Sequence, residues 1–159
     1  MVNTLKIQIW SDVMCPFCYI GKRRIEAALT LFEHKDAVEI EWKSFQLDAN
    51  FVASKGDNLT EHLAEKYRKD LDWAKGMLND MTQNAKNSGL DFHFEKAIMA
   101  NSLHAHRLLH FAKKYNMAND LKEVLLKAYL TDGKDINNLE TLKQLALEVG
   151  LSIDDIDEV

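Results

Sequence analysis

The chain has 159 residues but only one proline and two cysteines, and no apolar run approaches the about 20 residues that cross a membrane. Basic residues are not in excess either, since the net charge is −5, so the chain lacks the basic surface of a general nucleic-acid binder. No apolar segment with a small-residue cleavage site stands at the start, as it would in a secretory signal. We therefore expect no nucleic-acid or membrane partner and a cytoplasmic location, with a processed chain as the alternative.

The two cysteines, Cys15 and Cys18, are separated by two residues. Secreted domains that depend on disulfides carry more cysteines at longer spacings. A disulfide across so short a loop restrains little of the unfolded chain, so we do not expect the pair to be a stabilising cross-link. The pair is a candidate for chemistry.

Hydrophobic periodicity predicts an α/β protein that opens with a βαβ unit. Residues 5–10 and 38–43 alternate between apolar and polar side chains, as strands do, and apolar side chains between Phe17 and Phe32 recur at helical spacing. Proline is favourable in the first turn of a helix, so we expect the helix to begin at Pro16. The two strands should be parallel.

The pattern becomes helical after a predicted loop at residues 48–57. Asn58 with Glu61 predicts a helix start, followed by one helical run that ends near Gly89. Further helices are predicted to start at Asn101 or Ser102, at Asn119, at Leu139 and, after Ser152, at Ile153. We divide the chain into residues 1–57, the first part of an α/β domain, 58–150, an inserted helical domain, and 151–159, the start of a last helix.

Only two clear strands are present, and a two-stranded parallel sheet is not a stable unit. We expect either that the polypeptide continues beyond Val159 or that another chain, such as a second copy in a homodimer, completes the sheet edge.

The position of the cysteines predicts thiol–disulfide chemistry. Cys15 precedes the first turn of a helix, where unpaired N–H groups and the helix dipole stabilise a thiolate. We expect an exposed Cys15 as the nucleophile and a deeper Cys18, one turn on, as the resolving cysteine. Thiol or disulfide compounds are the expected substrates, and the direction of exchange depends on the reduction potential.

Two other interpretations of the pair remain. A structural zinc site needs four ligands, and His106 with His110 could supply the two that are missing. Alternatively, the cysteines are buried and unreactive. A single CxxC between a strand and a helix favours redox chemistry, and we predict no metal.

Four segments together resemble the thioredoxin-fold DsbA family, and more narrowly its FrnE-like branch, which is grouped with 2-hydroxychromene-2-carboxylate isomerases and kappa-class glutathione transferases. They are residues 9–28 (IWSDVMCPFCYIGKRRIEAA), 42–47 (WKSFQL), 101–109 (NSLHAHRLL) and 128–136 (AYLTDGKDI). The resemblance implies a thioredoxin domain with helices inserted after the second strand. It also implies a disulfide oxidoreductase or isomerase without a cofactor.

The resemblance leaves a second enzyme class open. A glutathione-dependent isomerase or transferase would use glutathione as co-substrate, but those branches usually carry Ser at the position of Cys15. The family also has a loop with a cis-proline facing the CxxC. Because Pro16 is the only proline, that loop and the last strands are absent from this chain, and we expect a longer protein to be the enzyme.

Further residues are candidates for shaping the site. Pro16 and Phe17 lie inside the motif, and Asp12 could tune the thiols or cap a turn. His106 or Arg107 could line the groove over Cys15, or could instead hydrogen-bond within helix packing. We expect buried or half-buried positions for Trp10 and Trp42, and a solvated helix face for Lys22, Arg23 and Arg24.

Overall fold

A computed structural model describes residues 4–54 and 56–152 of the chain. Its strands and helices follow in the order β1 (Leu5–Ser11), α1 (Pro16–Leu31), β2 (Val38–Ser44), α2 (Leu59–Tyr67), α3 (Leu71–Lys86), α4 (Leu103–Ala112), α5 (Ala118–Leu130) and α6 (Leu139–Glu148). Short 3₁₀ turns lie at Lys35–Ala37, Phe94–Lys96 and Lys113–Tyr115. No helix within these residues is long and apolar enough to cross a membrane.

The first three elements form the predicted βαβ unit. β1 and β2 pair in parallel over their whole length, from Leu5 opposite Val38 to Ser11 opposite Ser44. Pro16 occupies the first turn of α1, where its missing N–H leaves no partner unsatisfied. The unit therefore places residues 12–15 in a tight connection at the carboxyl end of β1.

The core lies between the helices that follow. Leucines of α5 and α6, among them Leu121, Leu125 and Leu145, are fully buried and share one cluster with Ile20 of α1. The ring of Tyr19 stacks on Phe92 with ring centroids 6.0 Å apart. One face of α1 is thus part of the helical core, while its N-terminus adjoins the sheet.

The predicted single helix after residue 58 is wrong, because the structure has two. Asn58 caps α2 as expected, accepting hydrogen bonds from the backbone N–H groups of Thr60 and Glu61. Arg68 then adopts a left-handed conformation (φ 55°) that ends α2, and the Asp70 side chain accepts the N–H of Trp73 to start α3. Apolar residues keep their spacing across this break, so periodicity alone did not reveal it.

The later helix positions agree with the sequence to within a residue or two. α4, α5 and α6 begin at Leu103, Ala118 and Leu139. The helix predicted at Ile153 lies outside the described residues. The division into residues 1–57, 58–150 and 151–159 stays a prediction.

Lys22 and Arg23 do not lie on a solvated face, contrary to the sequence-based expectation. Lys22 is only 3% exposed, and its Nζ lies 2.8 Å from Glu123 Oε2 of α5 and also contacts Glu26. Arg23 pairs with the same Glu123, and the Tyr19 hydroxyl donates to it at 2.5 Å. Three side chains of α1 therefore converge on one carboxylate of α5, which joins the two helices.

Trp10 is also misplaced by the sequence pattern. It is 60% exposed, whereas Trp42 is half-buried against α5. Strand alternation is correct for Ile7 and Ile9, which are half-buried.

Glu123→Gln should lower the free energy of unfolding by about 2 to 4 kcal/mol at pH 7, because it removes one of the two carboxylates that compensate the buried Lys22 and also the shared partner of Arg23 and Tyr19. Burial alone would raise the pKa of Glu123, but hydrogen bonds from Arg23, Lys22 and Tyr19 lower it to about 2. Such a carboxylate stabilises the fold above its unfolded pKa near 4.5, and the effect is lost as the pH falls toward 2.

The measurement is urea unfolding of both proteins between pH 7 and pH 2. The difference between them should shrink over the acid half of this range. Glu26→Gln is the matched control, and we expect a loss below about 1 kcal/mol because Glu26 is more exposed. Equal losses in the two variants would contradict the role assigned to Glu123.

Candidate active site

The two cysteines lie at the N-terminus of α1, as the sequence predicts. Cys15 is the N-cap residue, and its backbone carbonyl accepts the N–H of Cys18 at 3.0 Å. Both thiols are free. Their side chains are hydrogen-bonded to each other.

Their exposure is the reverse of the prediction. Cys15 is buried, with 9% exposed, while Cys18 is half-buried. Leu47, Asp48, Phe51 and residues of α2 and α3 line the same cavity as Cys15. The prediction that Cys15 is exposed and that Cys18 is the more buried of the two is therefore wrong.

The hydrogen bond between the two sulfurs separates their pKa values. It lowers the pKa of Cys18 to about 6, and the Ser11 hydroxyl, a backbone hydrogen bond from Asp12 and the charge of Lys122 act in the same direction against burial. The same hydrogen bond, together with burial, raises the pKa of Cys15, although two backbone N–H groups of the first helical turn oppose this. Because the two thiols share one proton, the low pKa belongs to the pair.

Asp12 holds the turn before Cys15. Its side chain is fully buried, and its Oδ2 accepts the backbone N–H of Leu47 at 2.7 Å while its Oδ1 lies 3.1 Å from His106 Nε2. Its backbone carbonyl accepts the N–H of Cys15, and Oδ1 also receives the N–H of Met14 at 3.5 Å. Burial would raise the pKa of Asp12, but these partners hold it below its ordinary value. Asp12 is thus both a turn cap and a link to the neighbouring chain segments.

Of the two candidates on α4, His106 lies near the site and Arg107 does not. The His106 ring is buried and bridges Asp12 to Ser44, whose Oγ lies 3.0 Å from Nδ1. This agrees with hydrogen bonding within helix packing, the second of the two interpretations. Arg107 is exposed and is not among the residues that line the cavity next to Cys15.

The structure gives the zinc interpretation no support. Within residues 4–54 and 56–152, no group of three or more His, Cys, Asp or Glu side chains is placed to hold a metal ion. Both ring nitrogens of His106 already face Asp12 and Ser44.

An apolar cavity of about 280 Å³ opens beside Cys15. Its walls come from the start of α1, the chain after β2, helices α2 and α3, the chain before α4, and α5. Besides Cys15, the charged or titratable members are Asp48, His62, Lys66, Tyr67 and Tyr129. The apolar lining consists of Met14, Pro16, Phe17, Leu47, Phe51, Leu59, Leu63, Met77, Leu78, Met81, Phe94, Met99 and Ala100. Cys15 is in the wall and Cys18 is not, so a molecule in the cavity meets the Cys15 sulfur.

Asn101 fixes one wall of this cavity. Its Oδ1 accepts the N–H of Leu103 at 2.9 Å, as expected of a helix cap, and its amide donates to the carbonyls of Ala49 and Phe51. Gln46 donates to the same Oδ1. Asn101, just before α4, therefore holds the chain from Gln46 to Phe51 in place beside the cavity.

A comparison with protein families assigns this arrangement. The model of the DSBA-like thioredoxin domain matches residues 6–159. The chain belongs to this family. Its parallel βαβ unit, with a CxxC at the start of the intervening helix, is the thioredoxin-like α/β fold that the sequence predicts.

Individual relatives agree with the assignment. A probable DsbA oxidoreductase from Streptomyces coelicolor superposes with a TM-score of 0.88 at 30% identity, over 97% of this chain and 66% of that one. A candidate protein disulfide isomerase from Nitrosomonas europaea shares the fold, with a TM-score of 0.70 at 16% identity over 98% of this chain and 69% of that one. The uncharacterized protein YwbO of Bacillus subtilis is 29% identical over 93% of this chain and 68% of its own length. The chain thus spans about two thirds of these relatives.

The sequence pattern did not point to Lys122, whose side chain is buried and whose charge acts on Cys18. A signal was present, since Lys122 shares a helical face with Leu125 and Leu126, which are fully buried. A charged residue on an apolar face is unusual and marks a specific partner. The methionines of the cavity gave no comparable signal, because Met is common in any core.

Asp12→Asn should destabilise the protein by about 2 to 3 kcal/mol, because one acceptor oxygen becomes a donor that faces the N–H of Leu47 or the His106 ring. Urea unfolding at pH 7 measures the loss. Asp80→Asn is the control, since Asp80 is exposed on α3, and we expect a change within about 0.5 kcal/mol. A small change at Asp12, equal to that of the control, would contradict its role.

Proposed function

We propose that the protein is a thiol–disulfide oxidoreductase that works through Cys15 and Cys18. The observation that carries this proposal is the pair itself, two free, hydrogen-bonded thiols at the start of α1 with one of them in the wall of a cavity. Membership of the DSBA-like thioredoxin domain family and the 30% identity to a probable DsbA oxidoreductase support it.

We assign Cys15 as the cysteine that bonds to the substrate and Cys18 as the resolving one. Cys15 lines the cavity, so its sulfur is the one a seated substrate meets. Ionisation of the pair supplies the thiolate that exchange requires. Attack on a substrate disulfide gives a mixed disulfide on Cys15, and Cys18 then displaces the substrate thiolate. Oxidation of a substrate dithiol is the same sequence in reverse.

The cavity supports a substrate whose reacting sulfur is flanked by apolar groups, because three quarters of its lining residues are apolar or aromatic. Peptide disulfides with leucine or phenylalanine beside the cysteine should therefore react faster than those with aspartate. Isomerase activity, placement in the FrnE-like branch, a cytoplasmic location, glutathione as co-substrate and a homodimer across the sheet edge all stay predictions.

Cys18→Ser should accumulate a mixed disulfide with a model peptide disulfide, because no second thiol can release it, whereas Cys15→Ser should form none. Mass spectrometry of the quenched reaction measures both adducts. Steady-state exchange should fall by at least about 100-fold in either variant. Full activity of Cys18→Ser toward an electrophile in the presence of glutathione would instead favour a glutathione-dependent isomerase or transferase.

Alkylation of the reduced protein should follow a low ionisation midpoint. The pKa of Cys18 is lowered to about 6, so the thiolate forms as the pH rises through 6 and is lost below it. Rates of iodoacetamide reaction, measured from pH 4 to pH 10, should therefore reach half of their first plateau near pH 6. A single midpoint near the ordinary thiol value of about 8.5 would contradict an activated pair.

A further inference from the structure

Lys122 of α5 is one of the few charged residues whose side chain is almost wholly buried, with 1% exposed. Its Nζ lies 5.1 Å from the centroid of the Trp42 ring of β2, and the Trp42 indole N–H donates to Asn119 one turn earlier on α5. The ring fixes the direction of the lysine side chain. A buried ammonium group is unfavourable unless a negative charge compensates it.

The charged and titratable groups whose charges act on this ammonium group come from two segments outside α5. Asp12 lies in the connection after β1, and Cys15, Cys18 and Lys22 lie at the start and on the next turns of α1. On α5 itself, the next residue is the acidic Glu123.

Most of these groups already have partners. Asp12 is held by His106 and by the N–H of Leu47, and Lys22 is paired with Glu123 and Glu26. No ion pair between Lys122 and a carboxylate occurs within the part of the chain that the structure describes. The thiol pair is therefore the group whose negative charge Lys122 is placed to compensate.

We propose that Lys122 is a positioning residue whose ammonium group stabilises the Cys18 thiolate, so that Cys18 can resolve a mixed disulfide on Cys15. This inference rests on the proposed function. In the resolving step the Cys18 thiolate attacks the Cys15 sulfur, and the bond between the two cysteines forms. The bond from Cys15 to the substrate sulfur breaks, its electron pair leaves with the substrate thiolate, and Lys122 keeps its proton.

The electrostatic coupling runs in both directions. Burial lowers the pKa of Lys122 to about 8, against the opposing influence of Cys18, Asp12 and Cys15, so it is still mostly protonated at pH 7. The ammonium charge in turn favours the Cys18 thiolate. Removal of either partner should shift the ionisation of the other.

Lys122→Met, Lys122→Arg and Lys127→Met test the proposal in the purified, reduced protein. Lys127 lies on the same helix but is exposed and paired with Asp132, so it is the matched control. Thiolate absorbance gives the midpoint of the pair. We expect Lys122→Met to raise it by about one pH unit, which corresponds to an about five-fold loss of thiolate at pH 6. Lys122→Arg should restore most of the shift, and Lys127→Met should cause none.

The second readout is the release of glutathione from a preformed mixed disulfide on Cys15. In Lys122→Met, release should be about five-fold slower at pH 6 and should recover above pH 9, where Cys18 ionises without help. A merely structural role would slow release at every pH. A folded Lys122→Met protein with the wild-type midpoint and release rate would overturn the proposal.

A further measurement covers the case in which Lys122→Met fails to fold. In Cys18→Ala, which retains Lys122, the ammonium titration followed by NMR should move to lower pH than in the wild type. An unmoved titration would overturn the proposal. If the wild-type protein forms no mixed disulfide at all, the proposed function fails, while the two ionisation measurements still decide the role of Lys122.

Discussion

The buried carboxylate of Asp12 is the constraint on which the site depends. A carboxylate without solvent is stable only when its oxygens are fully occupied by donors. Here the donors come from the chain after β2 and from α4, while the backbone of the same residue accepts the N–H of Cys15. Asp12 therefore links the turn that carries the CxxC to Leu47, in the chain after β2, and to His106 of α4.

A second set of charges joins α1 to α5. Glu123 accepts a hydrogen bond from Tyr19 and pairs with Lys22 and Arg23, and the charges of the neighbouring Lys122 and of the two thiols influence each other. Such contacts add little to stability where they are exposed, but they fix relative positions where one member is buried. The helix that carries the cysteines is therefore held at its first turn by Asp12 and one turn further on by α5.

The sequence predicted the regular elements well and the site only in part. Strand alternation and the CPxC pattern predicted the parallel unit and the position of the two cysteines at a helix start, because both are local patterns. The break at Arg68, the burial of Lys22 and the exposure of Trp10 depend on tertiary contacts that no local pattern contains. The relative exposure of Cys15 and Cys18 was also predicted wrongly, since the burial of a side chain at a helix start depends on the tertiary structure around it.

The cavity beside Cys15 has four methionines in its wall, Met14, Met77, Met81 and Met99. Methionine is unbranched and has three rotatable bonds, so a wall built from it adapts to differently shaped apolar groups at little energetic cost. Differences in how tightly molecules bind in such a cavity depend mainly on how much apolar surface each one buries, and much less on its shape. Thioethers are also oxidised to polar sulfoxides, so oxidants that reach this thiol can make the wall of the cavity more polar.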